Sequence, residues 1–305
     1  MAGQLRVYRR RIKSVNNIKK ITRAMELIAT SRIAKSQVRV QASRPYAESI
    51  REVIRATADQ SGVDHPLVSQ AEDVRRAAVV VMTSDRGLAG GYSANALRTA
   101  EGLLRELGGR NVSPDVYAVG RKAVGFYSFR NRELAGSFTG FTEEPSYADA
   151  KRIAAPVLAS FSGEEDARQK VDEIYIVSTA FTSMLSQRAR IERVLPLDAP
   201  SADESDGDGG SGTSDGPRAL YEFEPSAEDV LDALLPRYVE STIYAHLLEA
   251  AASESAARRR AMKSATDNAD DLIKSLTRQA NTARQAEITQ EISEIVGGAN
   301  ALAAR

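Results

Sequence analysis

The chain has 305 residues, which suits one or two domains, and its 42% hydrophobic content is enough for a globular core. It has no cysteine and only two histidines, which excludes disulfides, thiolate metal sites and a cysteine nucleophile. Lys and Arg total 41 and so do Asp and Glu, so net charge points to no partner. The distribution does: Arg9, Arg10, Arg11, Lys13, Lys19, Lys20, Arg23, Arg32, Lys35 and Arg39 crowd the first segment, and few acids oppose them. Such an arm suits nucleic acid, an anionic surface or an acidic protein partner.

In chain order, residues 1–57 read as one long helix. Leu5, Tyr8, Ile12, Val15, Ile18, Ile21, Met25 and Ile28 recur in steps of three or four, the spacing of a single helical face. No Gly or Pro interrupts between Gly3 and Pro45, so the helix would reach ~60 Å or more. A stripe of that length needs a second long helix to cover it. Residues 75–198 change texture. Ala77–Thr83 predicts a buried strand, Tyr92–Leu107 a helix, Asp115–Val119 a strand and Arg121–Phe129 a helix. A weak strand follows at Ser137–Phe141, then a helix at Tyr147–Phe161. Strands at Val171–Phe181 and Ala189–Leu197 are close enough to form a hairpin. Strand and helix alternate as in an open, Rossmann-like α/β sheet.

Residues 199–217 form an acidic, Gly/Ser-rich insertion with no apolar periodicity, and 218–225 is expected to be a final strand. Residues 226–305 read as the second long helix, with Ser226 as cap and Asp229 three residues on. Its stripe includes Leu231, Leu235, Tyr238, Met262, Ala265, Ala269, Leu272, Leu276, Ala280 and Ala283, continuing through Ile288, Ile292 and Ile295. Pro236 is expected to kink it or end a short first piece, and Gly297-Gly298 to weaken its end. Alanine at contact positions lets helices approach closely, as in a slim coiled coil. Two separate bundle helices satisfy the same pattern.

The Gly-rich turn Ser84–Gly91 lies between a strand and a helix, where backbone N–H groups can cradle phosphate. It lacks the Gly-Lys-Ser/Thr ending of a phosphate loop and the glycine spacing of a dinucleotide site. A tight turn presenting Asp85 and Arg86 is the better reading. His65 and His246 form no metal motif, Asp270-Asp271 reads as a solvated helix face, and no nucleophile elbow is present. No catalytic, cofactor or metal residue is assigned. No apolar run reaches the ~18 residues of a membrane span, and no apolar core follows the charged N-terminus, so a secretory signal is not expected.

Arg10-Arg11-Ile12-Lys13-Ser14-Val15, continued by Ile18-Lys19-Lys20-Ile21-Thr22-Arg23-Ala24-Met25-Glu26 and Ser43-Arg44-Pro45-Tyr46, resembles the N-terminal helix of ATP synthase γ subunits. Ser84–Tyr92 is similar to that family's turn, and Ala283–Ala299 to its C-terminal signature. The resemblance implies an α/β fold, with a Rossmann-like domain inserted between two long terminal helices that form a coiled coil. It implies a noncatalytic rotor shaft of the proton-translocating ATP synthase, with the α and β subunits (three each), the ε subunit and the c-ring as partners. It also implies a peripheral place on the cytoplasmic face of the bacterial cell membrane, without nucleic acid or cofactor. Carried over by motif, Arg10, Lys13, Met25, Glu26, Arg284, Gln285 and Thr289 would contact the α/β ring, and Asp85 and Arg86 the ε subunit and c-ring. Ala89 stands where many members carry Cys, so nothing redox is assigned there. The competing class is a coiled-coil scaffold or nucleic-acid-binding protein.

Overall fold

The computed structural model describes residues 2–61, 73–163, 169–197 and 226–303. The expected insertion 199–217, the expected strand 218–225 and His65 lie outside these residues. The elements run α1 (Ala2–Ser61), β1 (Arg76–Met82), α2 (Tyr92–Gly109), β2 (Ser113–Val119), α3 (Arg121–Phe129), β3 (Gly136–Phe138), α4 (Tyr147–Ser162), β4 (Glu173–Phe181), β5 (Gln187–Leu195) and α5 (Ala227–Ala303). The chain divides into two compact units, Met1–Ser31 with Arg258–Arg305, and Arg32–Ala257. The long helices α1 and α5 contribute a stretch to each.

In the first unit the two helices pair antiparallel. Thr22 Oγ1 meets Thr266 Oγ1 at 2.7 Å, and three residues earlier Lys19 bonds Asp270, four residues later. The sheltered positions of α1 are Leu5, Tyr8, Ile12, Val15, Lys19, Thr22, Glu26 and Ala29, alternately three and four apart. Those of α5 are Met262, Thr266, Ala269, Ile273, Leu276, Ala280 and Ala283, with the same alternation. This is the 3.5-residue repeat of a coiled coil, which distinguishes it from two independent bundle helices.

The expected stripe is corrected here. Ile18, Ile21 and Ile28 are 51%, 60% and 55% exposed, and Leu272 is also exposed. The seam takes the polar Lys19, Thr22 and Glu26 instead: Asp270 and Thr266 of α5 meet the first two, and Arg23 of α1 itself pairs with Glu26. Neither an internal proline nor Gly297-Gly298 ends a long helix. α5 runs unbroken through Pro236 to Ala303, and α1 through Pro45. Both prolines lie on exposed positions, where water can satisfy the carbonyl one turn earlier that loses its N–H partner. Ser226 caps α5 as expected, its Oγ accepting from Asp229 N at 3.1 Å.

The second unit is built on a five-stranded sheet of order β3-β2-β1-β4-β5. The first four strands are parallel and β5 returns antiparallel to β4. Its centre is the run Ala77–Met82, buried on both faces as a central parallel strand must be. Ala77, Val79 and Val81 pack beneath Leu97, Leu104 and Leu107 of α2 and Tyr127 of α3. Ala78, Val80 and Met82 face Ile153 and Val157 of α4, Ile50 and Ile54 of α1, and Leu231, Val239 and Ile243 of α5. Each fully buried aliphatic side chain stabilises by about 1.5–3 kcal/mol. Residues 238–258 of α5 are enclosed nearly all round, which explains their Ala/Ser-rich composition. Only part of the weak strand forms, as β3, because the chain turns at Gly140 with φ +101°.

Candidate partner-contact surfaces

The turn after β1 is held from within. Asp85 Oδ2 accepts from Gly140 N at 2.7 Å and Thr142 N at 3.2 Å, and Oδ1 accepts from Arg121 N at 3.1 Å. Asp85 N donates to Thr142 Oγ1 at 3.0 Å. One carboxylate therefore joins the β1–α2 turn, the start of α3 and the segment before α4. Beneath it, Thr83 Oγ1 donates to Val119 O and accepts from Ala123 N, each at 2.9 Å. Gly120 completes the crossing: its φ is +91°, and a Cβ there would stand 2.4 Å from Thr83 O.

The Asp85 side chain is therefore largely buried and engaged inside the unit. Arg86 is the outward residue, with 71% of its side chain exposed, and it reaches Glu143 at 3.2 Å. A cavity of about 570 Å³ beside it is lined by Arg86, Leu88, Arg121, Lys122 and Phe126. Asp85, the acid of this turn, takes up the Arg121 N–H at the start of α3, so its carboxylate is spent on bracing. Glu143 also bonds Arg32, and Arg39 Nη2 lies 2.9 Å from Glu144, so the second-unit stretch of α1 is clamped to the segment before α4.

In the first unit Arg10 and Lys13 are exposed and Met25 is half-buried. Glu26 is only 7% exposed and bonds Arg23 Nη1 at 2.8 Å, so little of it faces outward from the helical pair. Arg284, Gln285 and Thr289 are exposed on α5. Thr289 Oγ1 donates to Gln285 O one turn back, at 2.9 Å, leaving its methyl and the Gln285 amide on one outer face. The sequence reading placed Ile18, Ile21 and Ile28 in the seam. They form an exposed apolar row instead, set among Arg10, Lys13, Lys20 and Arg23. The signal that could have revealed it was the run of consecutive three-residue steps from Ile12 to Ile21, which drifts off the regular three–four alternation of the seam.

No group of three or more His, Cys, Asp or Glu side chains suited to a metal occurs among the described residues. One cluster imitates a hydrolase. His246 Nδ1 lies 2.8 Å from Ser178 Oγ, and His246 Nε2 lies 3.3 Å from Glu192 Oε2. Ser178 is fully buried in the middle of β4, so its hydroxyl is closed to a substrate. The cluster ties α5 to β4 and β5. Burial alone would raise the Glu192 pKa, but the His246 hydrogen bond and charge, with Arg190 and Arg51, bring it down to about 2.

An antiparallel helical pair joined to this sheet is a specific architecture, and comparison identifies it. The ATP synthase family profile matches residues 4–302. An ATP synthase gamma chain of Frankia casuarinae is 60% identical over 303 residues, covering 99% of each chain. One from Streptomyces griseus is 57% identical, covering 99% of this chain and 97% of that one.

The chain belongs to the ATP synthase gamma chain family.

Among solved structures, a chain of the Euglena gracilis mitochondrial ATP synthase OSCP/F1/c-ring assembly superposes with a TM-score of 0.64. It covers 100% of this chain and 96% of that one at 19% identity. A chain from the central stalk/c-ring structure of the Tetrahymena thermophila enzyme gives 0.58, covering 80% of this chain and 99% of that one at 20% identity. At these identities the likeness establishes the shared fold: a mixed α/β sheet core with long N- and C-terminal helices. No helix among the described residues is long and apolar enough to cross a membrane.

Proposed function

We propose that the chain is the central rotor shaft of a proton-translocating ATP synthase, transmitting torque between a membrane c-ring and catalytic sites on surrounding β subunits. The observation that carries this reading is the family match along nearly the whole chain. In this reading the shaft has no active site of its own. Three α and three β subunits surround the paired helices, and the ε subunit and c-ring meet the α/β unit. The protein lies peripherally on the cytoplasmic face of the bacterial membrane. Turning an asymmetric shaft favours a different β conformation at each angle, so shaft orientation acts as the ligand that selects among states.

The exposed row Ile18, Ile21 and Ile28, flanked by Arg10, Lys13 and Met25, suits a bearing surface against apolar and acidic ring residues. Arg284, Gln285 and Thr289 supply the corresponding face of α5. Arg86 is the residue offered to the partners of the α/β unit, and Asp85 supports it from behind. Purification of the tagged chain from its own cell membranes tests this reading. Recovery of α, β and ε subunits, with one copy of this chain per three α and three β, is expected. Recovery of the chain alone or with nucleic acid overturns it.

A further inference from the structure

One stripe of α3 faces outward from the second unit. Lys122, Gly125, Phe126 and Phe129 recur at the i, i+3, i+4 and i+7 spacing of a single helical face, while Ala123 and Tyr127 turn inward to the core. Phe129 is 90% exposed, more than any other large apolar side chain among the described residues, and Leu88 of the neighbouring turn is 61% exposed. We propose that this stripe, with the turn after β1, is a docking surface for an acidic segment of a protein partner, one that carries a bulky apolar side chain into the cavity beside α3. This proposal rests on the rotor reading above and gives a partner of the α/β unit its chemistry.

The lining of the cavity selects that occupant. Leu88, Leu97 and Phe126 form apolar walls, Arg86, Arg121 and Lys122 surround them, and no acid lines the cavity among the described residues. Arg130 adds a fourth cation, its guanidinium 3.7 Å from the centre of the Phe126 ring. The neighbouring acids are engaged: Asp85 holds backbone N–H groups, and Glu143 lies between Arg86 and Arg32. Leu88 stands at φ +65°, a conformation that a Cβ disfavours. Such strain is kept where the surrounding structure fixes it, and it clusters at ligand clamps. An acidic segment neutralises the ring of cations, and its apolar side chain removes Leu88 and Phe126 from water. A second copy of the chain would set the same cations against one another across a two-fold contact. A bilayer surface would meet the cations but leave the recessed walls of the cavity unfilled.

Gly125 lines the cavity, and nothing stands within 4 Å of where its Cβ would be. Gly125→Met therefore puts a side chain into the cavity without crowding the protein, and it favours the helix. In the experiment a photoreactive benzoylphenylalanine replaces Phe129 in the full chain. The complex is purified from its own cell membranes and irradiated, and mass spectrometry locates the adduct. The expected adduct lies on another subunit, in a segment where Asp and Glu outnumber Lys and Arg around a Leu, Ile, Met or Phe. Its yield should fall by about fivefold or more in Gly125→Met, the loss of a contact that seats a buried side chain. It should fall in Lys122→Glu as well, while Gly125→Ala leaves it unchanged. An adduct on lipid, on a second copy or on this chain itself overturns the proposal, and so does a yield indifferent to both Gly125→Met and Lys122→Glu. If the complex still holds the α, β and ε subunits but gives no protein adduct, the docking surface alone is wrong. Recovery of the chain without those subunits removes the rotor reading and the proposal with it.

Discussion

Thr22 and Thr266 stand 244 positions apart in the chain, yet their hydroxyls meet at 2.7 Å inside the helical seam. Each hydroxyl also lies within bonding distance of a carbonyl of its own helix, Thr22 of Lys19 O and Thr266 of Met262 O; with one proton each, one donates across the seam and the other to its carbonyl. Thr22→Val alone should lower stability by about 1 kcal/mol, because it strips a partner from a buried hydroxyl. Thr22→Val with Thr266→Val should recover most of that loss, since both polar groups then leave together. Urea unfolding of the two single variants and the double variant, followed by helical circular dichroism, closes the cycle. Additive losses would show that the two hydroxyls do not interact.

Asp85 and Arg86 are adjacent, but their substitutions should act on different properties. Asp85→Ala frees the N–H groups of Arg121, Gly140 and Thr142 and should destabilise the α/β unit by about 2–3 kcal/mol. Arg86→Ala changes an exposed side chain and should alter folding by no more than about 0.5 kcal/mol, while weakening assembly with the partners of this unit. Thermal melts of the isolated chain, set beside recovery of the complex, separate the two effects.

Glu192 gives the fold an acid limit. Its pKa falls from 4.5 to about 2 in the folded chain, so the folded state favours the carboxylate. The stabilisation is fully present above the unfolded value, near pH 4.5, and is lost as pH falls through about 2. Glu192→Gln should therefore be less stable than the parent above about pH 5, with the gap closing toward pH 2. Stability measured across this range in both proteins checks the sign. A gap that widens on acidification would contradict it.

Ile21 is 60% exposed in the shaft. Ile21→Ser should leave the stability of the isolated chain within about 0.5 kcal/mol. In the assembled complex it should weaken the coupling of ATP hydrolysis to proton pumping, read as acidification of membrane vesicles per ATP consumed. An unchanged ratio would remove Ile21 from the bearing surface.

Much of the architecture was legible in the residues. The long helices follow from sustained apolar steps of three and four without helix breakers, and β1 from a short apolar β-branched run. The β4–β5 hairpin follows from two strands with little chain between them, and the start of α5 from the Ser226–Asp229 pair. The contact surfaces were harder to read. Hydrophobicity alone put Ile18, Ile21 and Ile28 in the seam. The actual seam runs through Lys19, Thr22 and Glu26, whose polarity hides them from an apolar count. Pro236 read as a kink or an early end because its lost hydrogen bond is local; α5 continues through it, on an exposed position where solvent can compensate.

The sequence by itself determined that two long helices flank an alternating α/β segment, because local periodicity and backbone preferences act within a few residues of each position. Only the tertiary structure decided which helical face is covered and that Asp85 braces three segments. It also decided that Lys19 lies beside Asp270. Those outcomes depend on groups distant in the chain that satisfy one another's charge and hydrogen bonds, and no local pattern records such partners.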